Sequence, residues 1–275
     1  MQYTPTLEGD RIVQEDLNKI LEAVKGKNFE SLVLYGAYGK GEGCIYEGKP
    51  RNDYDLLLVG GDRGVERAIE RVKTAVVNEV WHIPSLSGVS CSQKWYEIKY
   101  GSKLLAGKPL DLPDWEAWEI PFADAVESIN NRCISMILGK YEMMKENPNW
   151  RTAVEQTCKG LISIGDAILI RRGEFHPLYS VRALMLTGDE IGKIYKEAVS
   201  VKIFNRPDLN PDQIWQFWQN TKAIMRDFVL NNKLQVPNIE VLLAITERTT
   251  KEQIEEFLTK AGVDKRFLGK EVGGQ

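Results

Sequence analysis

The chain has 275 residues, 43% of them hydrophobic and 27% charged, which suits one large or two ordinary globular domains and excludes long disordered tracts. Its 36 Lys and Arg against 39 Asp and Glu leave a net charge of −3, so no global basic field attracts nucleic acid. No apolar run approaches the roughly 18 residues of a membrane helix, and Met1–Pro5 lacks the pattern of a signal peptide, so a cytoplasmic protein without membrane partners is expected.

In chain order, apolar residues at Ile12, Val13, Leu17, Ile20, Leu21 and Val24 predict a helix over 10–24. Ser31–Tyr35 reads as a short strand running into a glycine cluster, and Tyr54–Val59 as a second strand closed by Gly60-Gly61. Val65, Ile69, Val72 and Val76 predict a helix over 63–80. Gly88–Tyr100 reads as one or two strands, with Trp95–Tyr100 the stronger piece. This alternation indicates a mixed α/β unit.

Leu110–Pro121, with its prolines and tryptophans, reads as a connector. Every later signal is helical: 122–145, 150–172, 177–186, 190–199, 212–230, 239–247 and 251–261. Thr250 and Gln253 have the spacing of a capping box for the last of these. The expected organisation is an α+β N-terminal domain, 1–111, with a small mixed sheet, followed by an all-α bundle, 112–275.

Cys44, Cys91, Cys133 and Cys158 form no C-x-x-C pair, and His82 and His176 are the only histidines. Zinc ribbons and redox dithiols are thereby excluded, and a Ser-His-Asp triad would need one of those two histidines. Chemistry here must lean on carboxylates, cations and the backbone.

The informative stretch runs from Leu32 to Gly43 through Gly36, Ala37, Gly39 and Lys40, and continues at Asp53-Tyr54-Asp55. A glycine at a strand–helix junction lets backbone N–H groups approach an anion, although the same cluster would serve as a plain turn. Asp53 and Asp55, two apart on a strand, share one face at roughly 6.6 Å while Tyr54, Leu56 and Leu58 share the other. Two neighbouring acids on an apolar strand are costly without a cation, and Mg²⁺ prefers such oxygens; a strand end open to water is the alternative. On the strand expected near 95–100, Glu97 would add a third acid, or else pair with Lys94 or Lys99.

Gly36-Ala37 followed by Asp53-Tyr54-Asp55 resembles the signature of nucleotidyltransferases of the DNA polymerase β superfamily. The layout is similar to kanamycin-type enzymes and to minimal nucleotidyltransferases paired with a helical partner. The resemblance implies transfer of NMP from an NTP, ATP among the candidates, to a hydroxyl acceptor: a small molecule, a protein or an RNA end. It implies Mg²⁺, or Mn²⁺ in its place, held by Asp53, Asp55 and Glu97, with Glu97 also able to serve as base. Gly36, Ala37 and Lys40 would face the phosphates. Ala37 stands where the family has serine, and the spacer to Asp53 is long. A nucleotide-binding regulatory module without turnover therefore stays open, and a homodimer is compatible with either reading.

Weaker candidates complete the set. Lys159 and Asp166 share a face of the helix expected over 150–172, where Lys159 could meet phosphate. Arg171 and His176 have the spacing of the helical RNases known as HEPN domains. The pairs Trp115/Trp118 and Trp215/Trp218 could stack bases or, more commonly at such spacing, pack a core.

Overall fold

The computed structural model describes residues 1–186, 190–204 and 209–263. The last residues of the expected helical domain lie outside the described residues. The chain divides into two compact units. Among the described residues the first holds 1–121, 169–186 and 202–204, and the second holds 122–168, 190–201 and 209–263.

The first unit begins with α1 (Leu7–Val24), whose N-cap Thr6 accepts a hydrogen bond from the Gly9 N–H. Strand β1 (Ser31–Leu34) leads straight into the short helix α2 (Gly36–Lys40). A tight hairpin, β2 (Ile45–Tyr46) and β3 (Lys49–Pro50), turns through Glu47 and Gly48, both at positive φ. It precedes β4 (Tyr54–Val59). Helix α3 (Arg63–Glu70), strand β5 (Asn78–Ile83), helix α4 (Gln93–Gly101) and strand β6 (Lys103–Gly107) follow.

Four strands form one mixed sheet in the order β5-β4-β1-β6. Strand β1 is antiparallel to β4 and β6, whereas β4 and β5 are parallel. The fold is α+β with a small mixed sheet, as the pattern predicts. Strict alternation on β4 divides two apolar layers. Tyr54, Leu56 and Leu58 enter the core beneath α1 and α3, with Val13, Leu17, Ile20, Val65 and Ile69. Leu57 and Val59 face the other way with Val33, beneath Ile98 of α4.

Two expected elements are corrected. The helix over 63–80 ends at Glu70, and the residues from Asn78 form a strand. Asn78 is the switch: its side-chain amide donates to the carbonyls of Ile69 and Val72, satisfying acceptors at the helix end. Val72 and Val76 still pack on the core, so the apolar stripe is real although its backbone is not helical. The strand expected over 95–100 is instead α4. Ser92 caps it by accepting from the Trp95 N–H at 3.1 Å, a local stop-and-start signal that outweighs the strand preference of Trp95, Tyr96 and Ile98.

The second unit is helical: α5 (Phe122–Met143), most of α6 (Trp150–Arg172), most of α8 (Glu190–Phe204), α9 (Pro211–Asn231), α10 (Pro237–Ala244) and α11 (Lys251–Lys260). The short α7 (Tyr179–Met185) belongs to the first unit. In the second, the buried Trp218 donates from its indole to the Met136 carbonyl at 2.7 Å, and the Tyr195 hydroxyl donates to Asp166 at 2.9 Å. The capping box of Thr250 and Gln253 is present at the start of α11. Among the described residues no helix is long and apolar enough to cross a membrane.

Candidate functional site

The junction of β1 and α2 brings the glycine turn against the acidic strand. Gly36 has φ +65, a conformation that L side chains rarely adopt, and a Cβ there would collide with the Asp55 carboxylate. The Tyr35 N–H donates to the Asp55 carbonyl at 2.9 Å, which fixes the junction against β4. Asp53 lies just before β4 and is exposed, whereas Asp55 is half-buried. Ala37 is buried in α2.

The third carboxylate here is Glu79. In the parallel pairing of β4 and β5, Asp55 stands opposite Glu79. Burial, then Glu79, then Asp53 push the Asp55 carboxyl up to about 6, with Lys202 and Lys40 pulling the other way. Burial and the same Asp55 and Glu79 raise the Tyr35 phenol. Glu79 escaped the sequence reading because Val72 and Val76 extend a helical stripe across this segment. The two-residue alternation of Glu79 and Trp81 was its one signal.

Glu97 has a different place from the one its expected strand would give. It lies on α4, where Oε2 meets Lys40 Nζ at 3.0 Å and Oε1 meets Arg182 at 3.0 Å. Burial opposes its charge, but Lys40 and Arg182 outweigh it and hold the carboxyl below its ordinary range. Lys40 mirrors this: burial disfavours the ammonium, Glu97 more than compensates, and its value is raised. The Lys40 side chain is only 1% exposed and that of Arg182 is fully buried. The Arg182 guanidinium lies 4.5 Å from the Phe175 ring centre and 4.3 Å from that of Tyr179, and Lys40 lies 4.3 Å from Tyr179. Glu42 closes the cluster by accepting from the N–H groups of Tyr179 and Ser180, both at 2.8 Å, at the start of α7.

Lys159 is half-buried on α6 in the helical unit. Arg171 is exposed, while His176 accepts a hydrogen bond at Nδ1 from the Leu178 N–H; burial and then Arg182 lower its proton affinity. Trp215 and Trp218 stack at 5.3 Å within the bundle, and Trp115 exchanges hydrogen bonds with the Tyr100 hydroxyl through its backbone. Trp118 is exposed.

Among the described residues no group of three or more His, Cys, Asp or Glu is gathered closely enough to hold a metal by itself. Mg²⁺ does not require one, because one or two carboxylates complete its shell with water and substrate phosphate. Asp55 and Glu79 fit that role: both are oxygen donors, the charge of Glu79 raises the Asp55 carboxyl, and the Asp55 carboxylate packs directly on the Gly36 backbone, where no Cβ intervenes. No family model matches the chain, and no similar curated protein or solved structure was found for it.

Proposed function

We propose that the first unit binds a nucleoside triphosphate with Mg²⁺ at the edge formed by Asp53, Asp55 and Glu79, and transfers its nucleotidyl group to a hydroxyl acceptor. The observation that carries this reading is that Asp55, two residues after Asp53, stands opposite Glu79 in register and packs against the Gly36 turn. It keeps the nucleotidyltransferase chemistry implied by the Gly-Ala and Asp-x-Asp pattern and replaces Glu97 with Glu79 as the third acid.

In this reading the chain supplies three things. Asp55 and Glu79 give the oxygen donors, and Asp53, open to water, extends them. Lys202 adds positive charge near the acids, where phosphate oxygens are to be placed. Glu97 is a positioning residue: it holds Lys40 and Arg182 in a fixed cluster behind α2. Bound Mg²⁺ supplies charge stabilisation to the attacking and leaving oxygens. The acceptor oxygen forms its bond to the α-phosphorus as the bond to pyrophosphate breaks, and the hydroxyl proton goes to a carboxylate at this edge.

The test is pyrophosphate release from each common NTP with Mg²⁺, in the presence of small-molecule, protein and RNA hydroxyl acceptors. Release that disappears in Asp55→Asn supports transfer; release that is equal in wild type and Asp55→Asn contradicts it. Two observations favour a second reading, a module that holds nucleotide without transferring it: Ala37 offers no hydroxyl and Lys40 is committed to Glu97. Metal-dependent nucleotide binding with no pyrophosphate release would distinguish that module.

A further inference from the structure

Helix α4 lays its first turn over the sheet face that carries the acids. Lys94 extends from that turn, and its ammonium lies 3.6 Å from the centre of the Trp81 ring and 5.5 Å from that of Tyr35. These rings mark its position. Trp81 is two residues beyond Glu79 on β5, so both side chains share a face. Tyr35 is hydrogen-bonded through its backbone to Asp55, the register partner of Glu79. The ammonium is thereby held by aromatic faces on the side of the sheet that carries Asp55 and Glu79.

We propose that Lys94 is a resident counter-ion for Asp55 and Glu79 that competes with the free divalent cation, so that metal enters together with nucleotide rather than alone. This rests on the reading of those acids as a metal site. The physical basis is simple. Burial lowers the proton affinity of Lys94 and the charges of Asp55 and Glu79 pull it back up, so a divalent ion arriving at those oxygens must overcome the repulsion of the ammonium or displace it. Displacement is available because Lys94 is exposed and its stem is flexible. The aromatic contacts keep the ammonium near the acids without locking it in a buried ion pair, unlike Lys40 with Glu97.

The acids favour charge neutralisation in either state. With Lys94 in place they are partly compensated by a group that costs no metal. With a metal–nucleotide complex present, phosphate oxygens provide ligands that the free ion lacks, and these tip the exchange. Lys94 thus separates the binding of bare metal from the binding of metal carried by nucleotide.

The experiment is Mn²⁺ binding to the nucleotide-free protein, read by the loss of free Mn²⁺ signal in electron paramagnetic resonance. Lys94→Met and Lys94→Gln should bind Mn²⁺ at least about tenfold more tightly than wild type, the size expected on removing a neighbouring like charge. Lys94→Arg, which keeps the charge, should match wild type. Adding Glu79→Gln to Lys94→Met should abolish the gain, whereas adding Glu22→Gln on α1, which restores the same net charge from the other face of the sheet, should leave it. Unchanged or weaker Mn²⁺ binding in both neutral variants, with native circular dichroism, would overturn the role of Lys94 while leaving the metal-site reading intact. If neither wild type nor the neutral variants bind Mn²⁺ but all bind it once nucleotide is added, Lys94 is not the obstacle and the inference fails. If Mn²⁺ binds in none of these conditions, the inference and the metal-site reading fail together.

Discussion

Asp55 and Glu79 stand opposite each other in register on neighbouring parallel strands, 24 positions apart in the chain, as Tyr54 stands opposite Asn78. On the inner of the two strands the carboxyl of Asp55 is pushed up to about 6 by burial, Glu79 and Asp53. That pairing locates the acidic edge.

The first concerns pH. A carboxyl whose folded value lies above its unfolded value makes the native state hold a proton that the unfolded chain releases. The cost of ionised Asp55 is absent below about pH 4, grows as the pH climbs to 6, and is complete above it. A change of that size corresponds to about 3 kcal/mol. In the metal-free protein Asp55→Asn should therefore be more stable than wild type at pH 8, and the difference should shrink toward zero near pH 4 in urea denaturation. A difference independent of pH would show that Asp55 is not strained by its surroundings.

The second compares two glycines. Gly36 and Gly26 both have positive φ, at 65° and 74°, but a side chain at Gly26 meets open space whereas one at Gly36 meets the Asp55 carboxylate. Gly26→Ala should cost only backbone strain, about 1 kcal/mol. Gly36→Ala should cost clearly more and should change the proton affinity of Asp55, followed by NMR of the carboxyl group. Equal stability losses in the two variants would contradict the close approach of Gly36 to Asp55.

How much of this was legible in the sequence differs from residue to residue. The division of β4 into faces could be read from Tyr54, Leu56 and Leu58, because alternation is a local consequence of strand geometry. The Thr250–Gln253 cap was legible for the same reason. Helix α4 was not. Its Trp95, Tyr96 and Ile98 favour strands, and only the Ser92 cap and the packing of Ile98 on Val33 and Leu57 decide the matter. The register partner of Asp55 and the cations around Glu97 are brought in by strand order and by α7, and no local pattern of residues records such pairings.

The third prediction separates Glu97 from the acidic edge. Its carboxylate balances two buried cations, so Glu97→Gln leaves Lys40 and Arg182 with uncompensated charge. Breaking a buried pair in this way costs about 3 kcal/mol or more, and Glu97→Gln should be destabilised by that order in chemical denaturation. The loss should be greatest at neutral pH and should narrow on acidification, since a carboxyl held below its usual range contributes stability above that range and loses it as the pH falls. If Glu97→Gln retained full stability yet lost nucleotide-dependent activity, a direct catalytic role for Glu97 would be restored.

The central claim is that Asp55 anchors a metal-dependent nucleotide site, and calorimetric titration of ATP, GTP, CTP and UTP into wild type and Asp55→Asn, in Mg²⁺ and in EDTA, tests it most directly. The account predicts that at least one nucleotide binds wild type in Mg²⁺, at least about tenfold more weakly in EDTA, and that Asp55→Asn removes the metal-dependent part of that affinity. Absence of binding by all four nucleotides, or an affinity that is the same with metal, without it and in Asp55→Asn, would contradict it.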